Sequence, residues 1–151
     1  ATNATLGEQI RLSASQISRR IQRLEEDGVI AAYVAMLAPS ALGLGVTAFA
    51  QVILERHGDS TNEAFENAIA AMPEVMDCFS VSGDADYMLR IVVPDLAAFS
   101  ELMMKRLLRL PGVARIKTSI ALQTVKQTHV LPLDHLTQPN KSSKRIRYAE
   151  S

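Results

Sequence analysis

Cys78 is the only cysteine among 151 residues, so no internal disulfide can brace the fold. That scarcity fits a reducing compartment, and a cytoplasmic location is expected. No apolar run approaches the roughly 20 residues that a membrane-spanning helix needs. The longest, from Leu42 to Ala50, is broken by Gly43, Gly45 and Thr47. The amino-terminal segment is polar and lacks the basic stretch and apolar core of a secretion signal, so none is expected. Net charge is also absent, with 16 basic residues against 16 acidic ones. Phosphate contacts therefore cannot come from overall charge and must come from local placement of Lys and Arg. The chain contains no phosphate-binding glycine loop, dinucleotide fingerprint or nucleophile motif. His57, His129 and His135 show no metal-ligand spacing with Cys78, so neither metal nor cofactor is expected.

What the chain does have is the balance of a globular protein, 48% apolar and 21% charged. Its length suits one domain or two small ones. Thr5 to Leu12 reads as a short helix with Leu6 and Ile10 on one side. Ser13-Ala-Ser-Gln16 is a capping-box pattern that opens a second helix. Ile17, Ile21 and Leu24 form its apolar stripe, and Gly28 stands where a left-handed cap would end it near Asp27. Val29 to Met36 alternates weakly and reads as a strand. Pro39 to Gly45 is a connection.

Beyond the connection the pattern changes to strand, helix, strand, given twice. Strands are expected over Val46–Leu54, Val75–Val81, Tyr87–Val93 and Val113–Val125. In the second of these, Val75, Asp77, Phe79 and Val81 are expected on one face and Met76, Cys78 and Ser80 on the other. Helices are expected over Thr61–Met72 and from Asp95 to about Arg109. A faint repeat, Met72-Pro-Glu-Val75 and Leu110-Pro-Gly-Val113, joins each helix to the strand after it. The fold expected is α+β, with a ferredoxin-like βαββαβ unit carrying two helices on one face of an antiparallel sheet. Apolar residues fall on both faces of the third strand, so a second subunit is expected to cover the other face.

Several segments, taken together, resemble the Lrp/AsnC (feast/famine) family of transcriptional regulators. Residues 12–35, LSASQISRRIQRLEEDGVIAAYVA, resemble the recognition helix of its winged helix-turn-helix and the following strand. Residues 38–46 resemble its interdomain connection, 81–93 (VSGDADYMLRIVV) its ligand-loop segment, and 110–133 its closing strand. The resemblance implies a partial winged helix-turn-helix over 1–36, since the family's first helix precedes the start of this chain. It further implies a connection over 37–45, a ferredoxin-like effector-binding and oligomerisation domain over 46–133, and a polar basic tail over 134–151. The function implied is sequence-specific binding of a double-stranded DNA operator, in an assembly that responds to an amino-acid effector. Homodimers joined into a higher oligomer, an octamer of four dimers, are expected. Neither a membrane nor an enzymatic activity is expected.

With the stripe of the second helix turned inward, Ser15, Gln16, Arg19, Gln22 and Arg23 point outward and Arg20 flanks them. Gln suits adenine and Arg suits guanine through paired hydrogen bonds in the major groove. Gln16, Arg19 and Arg23 are thus candidate base readers, and Ser13, Ser15 and Arg20 candidate phosphate contacts. A plain solvated helix face would show a similar composition. In the loop Ser82 to Tyr87, turn amides can hold a carboxylate, and Asp84 or Asp86 can pair with an ammonium group. The resemblance adds the last strand and gives an effector set of Ser82, Gly83, Asp84, Asp86, Tyr87, Thr118, Ser119 and Gln123. An ordinary β-turn also uses Asp and Gly in these places. Two other readings remain: a stand-alone amino-acid-binding oligomer without DNA binding, and an enzyme on a ferredoxin-like dimer using Asp77, Arg90 and the Gly83 loop.

Overall fold

The computed structural model describes residues 2–10, 13–55 and 58–136, which form two units divided after Gly43. The first unit holds α1 (Asn3–Ile10) and α2 (Ala14–Glu26). α1 begins two residues earlier than the apolar pattern suggests, because Thr2 Oγ1 accepts a hydrogen bond from Thr5 N at 3.2 Å. The expected end of this helix, Leu12, lies outside the described residues. Asn3 Nδ2 donates to Ser18 Oγ at 2.7 Å and ties α1 to α2, while Ile17 is buried at 4% exposure.

Both ends of α2 are fixed by local hydrogen bonding. Ser13 Oγ accepts from Gln16 N at 3.2 Å, and Gln16 Oε1 accepts from Ser13 N at 3.0 Å. At the other end Gly28 adopts φ 72°. Its N–H donates to Glu25 O at 3.1 Å, and Val29 N–H donates to Leu24 O at 2.8 Å. This pairing of carbonyls across a left-handed glycine stops the helix sharply. Residues 29–36 do not form the expected strand. A strand needs a neighbour to receive its backbone hydrogen bonds, and the ordered elements of the first unit are helical. The segment leads to a 3-10 turn at Pro39–Leu42.

The second unit contains β1 (Val46–Leu54), α3 (Asp59–Ala70), β2 (Val75–Ser80), β3 (Tyr87–Val93), α4 (Leu96–Lys105) and β4 (Val113–Ile120). The strands lie antiparallel in the order β2-β3-β1-β4, with both crossovers through helices, which is the ferredoxin-like arrangement. Ala48, Ala50 and Val52 of β1, with Leu89 and Ile91 of β3, are wholly buried. Phe65 and Ile69 of α3 and Phe99 and Leu102 of α4 complete this core with Leu107.

The repeat foreseen between helix and strand has a structural basis. Val75 N bonds to Met72 O at 3.2 Å, and Val113 N bonds to Leu110 O at 3.3 Å. The turn residue then serves a central strand each time. Glu74 O accepts from Val92 N at 2.9 Å, and Gly112 O accepts from Glu55 N at 2.8 Å.

Three expectations need correction. The last helix is shorter, because α4 ends at Lys105 and a separate 3-10 turn, Leu107–Arg109, buries Leu107 completely. The last strand ends at Ile120, which pairs with Ala48 near the start of β1. Ala121 N makes one more bond, to Thr47 O, and residues 121–136 run on exposed, Leu122 at 97%. In β2 a register shift between Val75 and Asp77 turns Val75 to the core side with Cys78, leaving Asp77 and Phe79 on the open face. Of the tail expected over 134–151, residues 134–136 form a 3-10 turn and the rest lies outside the described residues.

Candidate DNA-reading and effector sites

Arg19, Arg20 and Arg23 lie exposed on α2. None of them forms an ion pair among the described residues. Gln22 is drawn down the helix to Glu26, Nε2 to Oε1 at 3.0 Å, and Glu25 accepts from Tyr33 Oη at 2.7 Å. That bond holds the exposed Tyr33 phenol above its ordinary pKa. The acidic residues at the end of α2 are thereby occupied and leave the arginines unpaired. The Ser13 Oγ and Gln16 Oε1 atoms close the cap, and Ser15 Oγ lies 3.1 Å from Ser13 Oγ.

The loop between β2 and β3 is pinned from within. Asp86 Oδ2 accepts from Leu54 N at 2.8 Å, and Asp86 N donates to Val52 O at 2.9 Å. Val81 N closes the hairpin onto Asp86 O at 3.0 Å, and Gly83 turns it at φ 103°. Asp86 is therefore occupied as the loop's anchor. Tyr87 points to the core: its ring stacks 4.7 Å from Phe65 and its hydroxyl donates to Glu66 Oε1 at 2.6 Å. Burial, then the Glu66 carboxylate, push this phenol up to about 12. Burial also raises the Cys78 thiol, with Glu66 adding to it.

Ser82 and Asp84 are the exposed polar groups of the loop. They border a shallow cleft of about 630 Å³, floored by Gln51 and Met88 and closed by Ser80, Val81 and Ala85. Gln51 was missed in the sequence because it interrupts a strand read only for its apolar members, although it is the one polar residue in Phe49–Leu54. Met88 stood out in the sequence as a hint of an apolar ligand, and the structure puts it on the floor of this cleft.

The other expected effector residues stand elsewhere. Thr118 pairs with the buried Ala50 and so lies on the helix side, whereas Ser119 pairs with Phe49 on the open side. Ala121 is level with Thr47, five residues along β1 from the Val52–Tyr87 pair, or roughly 16 Å. Gln123 lies farther on. Within one chain the loop and these residues are not brought together.

Residues 1–31 match the winged helix-turn-helix DNA-binding domain, and residues 47–131 match the Lrp/AsnC ligand binding domain. The chain belongs to the Lrp/AsnC family. It is a DNA-binding transcriptional regulator with a ligand-binding domain. It is 41% identical over 128 residues to the Bkd operon transcriptional regulator of Pseudomonas aeruginosa, covering 85% of this chain and 84% of that one. It is 36% identical over 130 residues to the leucine-responsive regulatory protein of Escherichia coli (strain K12), covering 86% and 79%. Among solved structures it resembles a Neisseria meningitidis transcriptional regulator in complex with L-Met. The TM-score is 0.86 and the identity 37%, covering 90% of this chain and 88% of that one. No helix among the described residues is long and apolar enough to cross a membrane.

Proposed function

We propose that this regulator reads a double-stranded operator with α2 and changes its assembly when a free amino acid binds beside the Ser82–Asp86 loop. Residues 1–36 form the DNA-binding segment, 37–45 the connection, 46–133 the effector and oligomerisation domain, and 134–151 a basic tail. It works in the cytoplasm, as a homodimer that builds a higher oligomer, an octamer. The observation that carries the DNA reading is the free state of Arg19, Arg20 and Arg23 on a helix capped at both ends. Arg19 and Arg23 read bases and Arg20 and Ser15 hold phosphates, while Ser13 and Gln16 fix where the helix starts.

For the effector, the turn at Ser82 and Gly83 offers backbone donors to a carboxylate, and Asp84 receives the ammonium group. Met88 offers an apolar surface to the side chain, and the methionine held by the Neisseria meningitidis relative supports such a ligand. Asp86 and Tyr87 hold the loop in place. Thr118, Ser119 and Gln123 reach the ligand only from another chain, which makes binding depend on assembly. Such a ligand shifts the assembly by binding one state better than another.

Arg19→Ala should weaken operator binding by about 1–3 kcal/mol and relax preference at one base position. Unchanged affinity in a gel-shift series would remove Arg19 from the reading surface. Calorimetric titration with the twenty amino acids, with solution mass measured alongside, tests the effector. Silence from all twenty would sink that half of the proposal.

A further inference from the structure

The open face of the sheet carries one charged pair in an otherwise mostly uncharged centre. Rows across β2-β3-β1-β4 can be read from the register. One is Asp77–Arg90–Phe49–Ser119, and the next is Phe79–Met88–Gln51–Lys117. Arg90 Nε donates to Asp77 Oδ2 at 2.5 Å, with side chains 36% and 37% exposed. Phe49 beside Arg90 is 40% exposed, and Phe79 beside Asp77 is 59% exposed. The buried residues of α3 and α4 pack against the opposite face, that of Ala48, Ala50, Leu89 and Ile91. Arg90 has further N–H groups beyond the one it gives Asp77, and a carboxylate accepts more than one bond.

We infer that the Asp77–Arg90 pair selects and orients the partner when two copies of this sheet pack face to face, Arg90 of each copy reaching Asp77 of the other. This rests on the homodimer proposed above. The occupant is a second copy because the patch is complementary to itself. It offers one cation and one anion in adjacent strands, and a two-fold axis brings each against its opposite. An apolar partner would bury the pair with the remaining N–H groups of Arg90 and lone pairs of Asp77 unmet in a dry interface. A second copy in this orientation meets them with opposite charge, and a packing turned so that each residue faces its own copy sets like charges together.

Charge exchange separates this role from a bond that merely braces one chain. Asp77→Arg alone and Arg90→Asp alone should each weaken self-association by about a hundredfold or more, measured by sedimentation. Mixed, the two single variants should form heterodimers, because one then offers two cations and the other two anions. The double exchange, Asp77→Arg with Arg90→Asp, should self-associate yet fail to exchange subunits with the unmodified protein. Circular dichroism on each variant verifies the fold. Free exchange between the double variant and the unmodified chain would assign the pair to the single chain alone and overturn the inference. So would single variants that dimerise normally, or that stay apart when mixed. An unmodified protein that sediments as a monomer overturns the homodimer itself, an outcome distinct from these.

Discussion

Tyr87 opens β3 directly after the Ser82–Asp86 loop, and its hydroxyl gives the loop a chemical tie to α3. Removing that hydroxyl as Tyr87→Phe keeps the ring and its 4.7 Å contact with Phe65 and deletes only the 2.6 Å bond to Glu66. A hydrogen bond to a charged group contributes about 1.5–3 kcal/mol, and exposed Glu66 regains water when it is lost, so about 1–2 kcal/mol is expected at neutral pH. The pH dependence is the sharper test. The phenol titrates at 10 in the unfolded chain and near 12 in the folded one. Its folded pKa is raised, so its contribution is complete below pH 10 and lost as pH climbs through 12. At 1.36 kcal/mol per unit, the unmodified protein gives up about 1.4 kcal/mol at this site by pH 11, and the variant gives up nothing there. The two stabilities should therefore converge and meet near pH 11. Urea unfolding from pH 8 to 11.5, at one protomer concentration, measures the difference and cancels groups common to both proteins. A constant gap across that range would refute the placement of Tyr87 against Glu66.

Asp86→Ala leaves the Leu54 N–H without its acceptor and should cost about 1–3 kcal/mol, with faster hydrogen exchange at Leu54. Unaltered exchange at that amide would contradict its role as loop anchor. Gly112→Ala forces a side chain onto a backbone at φ 71°, where its Cβ runs into the Thr61 methyl. The left-handed conformation alone costs about 1–2 kcal/mol, and the clash adds to it. Thr61→Ser removes the methyl and should recover the second part only, so a double-mutant cycle with no coupling would refute the contact.

The fold was legible wherever the cause was local. Ser13 and Gln16 announced the start of α2, Gly28 its end, and the alternation of Ala48, Ala50 and Val52 the strand that became the centre of the sheet. The errors share a different cause, dependence on a partner distant in sequence. Residues 29–36 alternate like a strand but have no ladder among the described residues, and the pairing of β4 with β1 goes only as far as Ile120 opposite Ala48. The shift that turned Val75 away from Asp77 is invisible in a pattern of period two, since one extra residue inverts every position before it.

The same division runs through the residues proposed for the effector. Asp84 and Asp86 are two residues apart in one loop and equally able to meet an ammonium group by composition. The structure separates them by what else each must do: Asp86 accepts the Leu54 amide, and Asp84 borders the cleft. Replacing Asp84 with Asn should therefore change ligand affinity and leave stability within about 0.5 kcal/mol, the usual range for an exposed substitution. Asp86→Asn should do the reverse, lowering stability first and affinity only through the loop. Paired urea unfolding and amino-acid titration on the two variants read both quantities. If Asp84→Asn binds every amino acid as the unmodified protein does, the ammonium group is held elsewhere, and the assignment of this loop as its acceptor fails.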